Sequence, residues 1–93
     1  MENIKHILIV DDDADIRQLL SQFLCQHNFK VSLAGDGREM QLKLQRNNID
    51  LIVLDVMLPG ASGTQLCQQL RRDTNIPIIM LTAVDEEVER IFA

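Results

Sequence analysis

The stretch ILIVDDDADIR, residues 7–17, is the most informative part of the sequence. Four apolar residues run directly into three aspartates, Asp11, Asp12 and Asp13, and a fourth follows at Asp15. A short apolar run rich in Ile and Val is typical of a strand that is covered on both faces. Carboxylates placed side by side repel one another, so their position directly after a buried strand calls for a physical explanation.

Strand and helix patterns alternate along the rest of the chain. Apolar runs at 6–10, 29–33, 51–54 and 77–82 predict four strands. Apolar residues at helical spacing predict four helices, which follow residues 13, 36, 63 and 85 in the sequence. Asp13 or Asp15 is expected to cap the first helix, and Asp36 with Glu39 forms a predicted capping box. Strict β-α alternation with apolar strands predicts an α/β fold, a parallel sheet between two layers of helices.

Composition narrows the classes of function. The chain has 93 residues, 46% hydrophobic residues and a formal net charge of -5, which predicts a packed domain that does not itself bind nucleic acid. Cys25 and Cys67 are far apart and lack CxxC spacing, so we expect buried free thiols in a reducing compartment. The sequence shows neither a signal-peptide pattern nor an apolar run of membrane-spanning length, and we predict no membrane association and a cytoplasmic location.

Acidic residues follow two of the predicted strands. Asp11 and Asp12 come after the first strand, Asp55 ends the third, and Thr82 ends the fourth. In open α/β sheets ligands bind outside the carboxyl ends of the strands, so three carboxylates converge there if the first and third strands are neighbours. A hard divalent cation, Mg²⁺ by preference, relieves their repulsion. Such a site suits phosphoryl transfer to an aspartate, with the Thr82 hydroxyl bonding a phosphoryl oxygen.

Three segments resemble the receiver domains of two-component response regulators: ILIVDDD at 7–13, DLIVLDVMLPGASG at 50–63, and PIIMLTA at 77–83. The segment DVMLPG, residues 55–60, is most similar to receivers of the OmpR/PhoB class, whose members are mostly transcription factors. The resemblance spans the whole chain. It implies a flavodoxin-like (CheY-like) doubly wound parallel sheet in three α/β/α layers, with strand order 2-1-3-4 for the strands that this chain contains.

The resemblance also implies a role for each matching residue. Asp55 is the expected acceptor of a phosphoryl group from the histidine of a sensor kinase. Asp12 is the expected direct Mg²⁺ ligand, Asp11 holds metal-bound water, and Met57 offers its backbone carbonyl to the metal. Thr82 is the expected switch residue, which bonds the phosphoryl group and moves on activation. On this basis the chain is a phosphoacceptor signalling module rather than an enzyme.

The sequence departs from the family pattern near its end. The family has a lysine after a fifth strand, whereas this chain has no lysine beyond Lys43. We therefore expect residues 1–93 to form an incomplete receiver domain that ends within the fourth helix, with the fifth strand and fifth helix missing. The bare edge of the fourth strand predicts self-association, as a homodimer formed by exchange of elements. Phosphorylation is expected to be slow without the lysine.

Two other functions fit parts of the pattern. Asp11, Asp13 and Thr82 mimic the acidic strand end and later threonine of haloacid-dehalogenase-like phosphatases, although that interpretation leaves Asp55 unexplained. A dimerisation fragment that takes up no phosphoryl group is the third possibility. Loss of phosphate-ester turnover in Asp11→Asn but not in Asp55→Asn would favour the phosphatase.

Overall fold

The described residues, 4–55 and 63–81 of a computed structural model, contain four strands and three helices that alternate along the chain. This is the order predicted for those residues. The predicted fourth helix, from residue 85 onward, lies outside the described residues. The elements are β1 His6–Val10, α1 Ala14–Gln26, β2 Lys30–Ala34, α2 Gly37–Arg46, β3 Leu51–Asp55, α3 Gly63–Asp73 and β4 Ile78–Leu81.

All four strands are parallel and lie in the order β2-β1-β3-β4, which confirms the predicted arrangement 2-1-3-4. The order reverses at β1, because β2 lies on one side of it and β3 on the other. Right-handed crossovers in opposite directions place α1 on one face of the sheet and α2 and α3 on the other. The result is the three-layer, doubly wound architecture expected from the sequence.

The main core lies between the sheet and the helices α2 and α3. Every residue of β1 is buried, as expected for a strand covered on both faces. Alternate residues of β1 and β3 point toward α2 and α3, where they meet apolar side chains of those helices. The buried cluster consists of Leu8, Val10, Ala34, Met40, Ile49, Ile52, Leu54, Leu66 and Leu70.

Helix α1 is less buried than its apolar pattern predicts. None of its residues is fully buried. Leu20 and Leu24 are half-buried, but Leu19 and Phe23 are 66% and 57% exposed. The apolar arc of this helix is thus wider than its contact with β1 and β2. The thiol prediction is also half wrong, since both cysteines are free but Cys25 is exposed and Cys67 only half-buried.

The helix boundaries follow the local signals in the sequence. The Asp13 side chain caps α1 by accepting hydrogen bonds from the N–H groups of Asp15 and Ile16. Asp36 caps α2 through the N–H of Glu39, as predicted. The second half of the predicted capping box differs, because Oε1 of Glu39 accepts from the N–H of Gly35, at 2.6 Å, and not from Asp36. After α1, Asn28 adopts a left-handed conformation with φ 68°, which ends the helix.

Candidate functional site

The end of β1 and the end of β3 form the candidate site. Val10 pairs with Leu54 across these neighbouring strands, so the two strands end side by side. Asp11 directly follows β1, and Asp55 is the last residue of β3. This edge is the point where strand order reverses, which is where doubly wound sheets bind their ligands.

Three carboxylates meet there. One oxygen each from Asp11, Asp12 and Asp55 lies within 4.8 Å of the other two. Asp11 is buried, with only 3% of its surface exposed, whereas Asp55 is half-buried and Asp12 is exposed. The structure therefore brings together the three aspartates singled out in the sequence. Met57 and Thr82 lie outside the described residues, and their places in the site stay predictions.

The buried Asp11 is held at each of its polar groups. Its N–H donates to the carbonyl of Ala34 at 3.0 Å. Its Oδ1 accepts from the N–H of Asp13 at 2.9 Å, and its carbonyl oxygen accepts from Nη1 of Arg17 at 2.6 Å. Asp11 is thus fixed to the next strand, to its own loop and to α1.

The environment of Asp11 opposes its negative charge. Burial is the largest influence and raises the pKa of Asp11 above its ordinary value, while the N–H of Asp13 acts in the opposite direction. The charges of Asp55 and Asp12 raise this pKa further, as does a side-chain hydrogen bond between Asp11 and Asp55. A cation among the three carboxylates would reverse the unfavourable interaction. Their oxygen donors are the type that Mg²⁺ binds, so these residues fit that metal.

Asp13 has a different part in the structure from its neighbours. Its side chain caps α1, and it does not belong to the acidic group formed by Asp11, Asp12 and Asp55. This matches the capping role expected of Asp13. It also removes the support for a phosphatase that pairs Asp11 with Asp13, because the second acid of that pair is engaged at the helix terminus.

Arg17 is a residue of the candidate site that was not predicted from the sequence. It is the first basic residue after four closely spaced aspartates, and it lies one helical turn beyond Asp13. That position on α1 faces back toward the end of β1, where the guanidinium reaches the carbonyl of Asp11. The sequence signal was present, but a basic residue in the first turns of a helix is more often a solvated side chain.

Residues 7–93 match the family described as the response regulator receiver domain. The chain belongs to this family. It is 45% identical over 89 residues to the transcriptional regulatory protein ResD of Bacillus subtilis, covering 96% of this chain and 37% of ResD. It is 44% identical over 89 residues to the probable transcriptional regulator ycf27 of Cyanophora paradoxa, again covering 96% of this chain and 37% of the relative. The chain therefore spans well under half of the length of these relatives.

Solved structures of receivers have the same fold. The response regulator TrrA of Thermotoga maritima, solved in complex with Mg²⁺-BeF, superposes with a TM-score of 0.80 at 37% identity and covers 86% of this chain and 70% of TrrA. The chemotaxis response regulator CheY4 of Vibrio cholerae gives a TM-score of 0.78 at 33% identity, over 84% of this chain and 68% of CheY4. Within residues 4–55 and 63–81, none of the helices is long and apolar enough to cross a membrane.

Proposed function

We propose that this chain is the phosphoacceptor module of a two-component response regulator, and that Asp55 accepts a phosphoryl group from the histidine of a sensor kinase. One observation supports this most strongly: Asp11, Asp12 and Asp55 converge at the switch point of the sheet. The alternatives considered from the sequence leave either Asp55 or the whole cluster without a function. In this proposal the chain takes up one phosphoryl group and is not an enzyme that turns over a substrate.

The proposed chemistry is transfer of a phosphoryl group to Asp55, the acceptor that the resemblance to receiver domains implies. A carboxylate oxygen of the half-buried Asp55 attacks phosphorus, the P–N bond to the kinase histidine breaks, and the imidazole retains the electron pair. The product is an acyl phosphate on Asp55. Asp11, Asp12 and Asp55, with the backbone carbonyl of Met57, would hold Mg²⁺. When bound, Mg²⁺ offsets the negative charge of the phosphoryl oxygens.

Thr82 completes the proposed site. It follows β4 directly, and β4 pairs with β3, the strand that ends at Asp55. We propose that the Thr82 hydroxyl donates to a phosphoryl oxygen on Asp55, which makes Thr82 the switch residue. Movement of Thr82 on phosphorylation would pass the state of Asp55 to the rest of the protein.

The proposed partners follow from the family and from charge. The phosphodonor is a sensor histidine kinase. The output is regulation of transcription, as in relatives named transcriptional regulators that are much longer than this chain. With a net charge of -5, this chain is not itself expected to bind nucleic acid. Self-association as a homodimer stays a prediction from the sequence. Both cysteines are free thiols, which fits the proposed cytoplasmic location.

Phosphorylation by a small-molecule donor tests the proposal. The chain is incubated with acetyl phosphate and Mg²⁺, and its intact mass is measured beside Asp55→Asn. Asp73→Asn is the matched control, since it makes the same change at an exposed residue at the end of α3. We expect one phosphoryl adduct in the unaltered chain and in Asp73→Asn, and none in Asp55→Asn or when EDTA replaces Mg²⁺. An adduct that survives the loss of Asp55 would reject the proposed acceptor.

A further inference from the structure

Arg17 lies next to the acidic group of Asp11, Asp12 and Asp55, on the side of α1 that faces the end of β1. Its Nη1 donates a hydrogen bond to the backbone carbonyl of Asp11 at 2.6 Å. We propose that Arg17 is a positioning residue for the metal site, which sets the direction of the Asp12 carboxylate by holding the peptide group between Asp11 and Asp12. This inference rests on the proposed function, because it concerns Mg²⁺ binding by the same carboxylates.

The position of this hydrogen bond explains why it affects Asp12. The carbonyl of Asp11 belongs to the peptide plane that leads into Asp12, so fixing the oxygen restricts the two backbone torsions on either side of that plane. The N–H and carboxylate of Asp11 are already bonded to Ala34 and Asp13. Arg17 supplies the remaining restraint on the backbone of Asp11. A charged donor makes this bond stronger than one from a neutral group.

The turn between β2 and α2 limits where the guanidinium can lie. Oε1 of Glu39 accepts from the N–H of Gly35 at 2.6 Å, which places a carboxylate beside this turn. A Cβ atom added to Gly35 would lie 3.1 Å from that oxygen and 3.2 Å from Nη1 of Arg17. Both side chains therefore use the space that the missing Cβ leaves. The half-buried Arg17 is enclosed between α1 and this turn rather than extended into solvent.

Charge alone predicts the opposite effect on the metal. A guanidinium near three carboxylates partly neutralises them, so its removal would strengthen Mg²⁺ binding if electrostatic attraction were the only factor. A positioning role predicts weaker binding, because the carboxylates are then no longer held in the arrangement that binds the cation. The sign of the change in Mg²⁺ affinity therefore distinguishes the two roles of Arg17.

Isothermal titration with Mg²⁺ measures this sign. The proteins are the unaltered chain, Arg17→Ala, Arg17→Lys and the matched control Arg38→Ala, which removes the same charge from an exposed position on α2. Residues that orient metal ligands typically change affinity by about 10-fold or more when lost. We expect Mg²⁺ to bind Arg17→Ala about 10-fold more weakly, Arg17→Lys at an intermediate strength, and Arg38→Ala as it binds the unaltered chain.

A second measurement separates positioning from general destabilisation. Thermal unfolding in EDTA measures the stability of the fold without metal. We expect Arg17→Ala to weaken Mg²⁺ binding while its Tm in EDTA stays close to that of the unaltered chain. If Arg17→Ala does not fold, Gly35→Ala provides the test, since it keeps the charge but adds a Cβ 3.2 Å from Nη1. Weakened Mg²⁺ binding by Gly35→Ala would then support the proposal, and unchanged binding would overturn it.

Two further results would overturn the proposal. Mg²⁺ binding by folded Arg17→Ala that equals or exceeds binding by Arg38→Ala would show that Arg17 does not position the metal ligands. Failure of the unaltered, folded chain to bind Mg²⁺ would reject the metal site itself, and the role of Arg17 with it. These two outcomes are distinguishable, because only the second affects the unaltered chain.

Discussion

Replacing Asp11 with asparagine should stabilise the metal-free chain. Asp11 is 3% exposed, and its carboxylate oxygen lies within 4.8 Å of oxygens of Asp12 and Asp55. Asparagine has nearly the same shape, and its side-chain oxygen can still accept the hydrogen bond from the N–H of Asp13. The substitution therefore removes a repelled negative charge while leaving the packing and this hydrogen bond in place.

The geometry sets the expected size of the effect. Two unit charges 4.8 Å apart repel by roughly 1 kcal/mol in water and by roughly 3.5 kcal/mol at an effective dielectric constant of about 20. We expect Asp11→Asn to raise the free energy of unfolding in EDTA at neutral pH by about 1–3 kcal/mol. For a domain of this size, each kcal/mol raises Tm by about 4–8 °C.

The pH dependence of this gain has a definite sign. The folded-state pKa of Asp11 is raised above its ordinary value of 3.8, so ionisation penalises the folded state. The penalty is fully present above the raised pKa and disappears below about pH 3.8, where Asp11 is protonated in both states. The stability difference between Asp11→Asn and the unaltered chain should therefore shrink as pH falls through that interval.

Urea unfolding followed by circular dichroism provides the assay, because the chain has neither Trp nor Tyr for fluorescence. The matched control is Asp36→Asn, since the Asp36 side chain also accepts a backbone N–H, from Glu39 at 2.8 Å, but lies outside the acidic group. We expect Asp36→Asn to be slightly less stable, because it loses a negative charge at a helix N-terminus. Adding Mg²⁺ should stabilise the unaltered chain more than Asp11→Asn. A metal-free Asp11→Asn that is less stable than the unaltered chain would refute this reasoning.

Three further predictions concern the fold. His6 is 6% exposed, and burial together with the charge of Lys30 lowers its pKa below 6.5 despite the opposing charge of Asp50. Because a lowered histidine pKa favours the unfolded state as the ring becomes protonated, the stability of the chain should fall as pH drops below 6.5. The urea midpoint should therefore decrease less between pH 7.5 and pH 5 in His6→Gln than in the unaltered chain. Leu54→Ala should cost about 2–5 kcal/mol in urea unfolding, because Leu54 is 0% exposed in the main core, and a cost under 1 kcal/mol would contradict that packing. Asp13→Ala should cost about 0.5–2 kcal/mol through loss of the α1 cap, and Asp13→Ser should restore most of it.

Sequence reasoning was most successful where a feature depends on pattern alone. The apolar runs ending at Val10 and Asp55 located β1 and β3, and β-α alternation predicted the parallel sheet, whereas its strand order was predicted from the resemblance to receiver domains. The convergence of Asp11, Asp12 and Asp55 then followed, because neighbouring parallel strands end at the same edge. The strands and the parallel sheet need only the period of the apolar residues and the β-α alternation, whereas the position of β1 beside β3 needed the resemblance to the family.

Features that depend on a choice between nearby partners were not predictable in the same way. Glu39 can reach the N–H of either Asp36 or Gly35, and the path of the turn decides in favour of Gly35. The bond from Arg17 to the carbonyl of Asp11 also depends on how α1 lies against the sheet. Periodicity identified the apolar residues of α1 but not how many of them the sheet would cover. It therefore did not predict that Leu19 and Phe23 are exposed.

Identifying the modified aspartate tests the central claim most directly. After treatment with acetyl phosphate and Mg²⁺, borohydride reduces an aspartyl phosphate to homoserine, and peptide mass spectrometry locates the converted residue. We expect homoserine at position 55 and unconverted aspartate at positions 11 and 12. Conversion at Asp11 with Asp55 unchanged would contradict it and would restore the phosphatase-like interpretation of the acidic cluster.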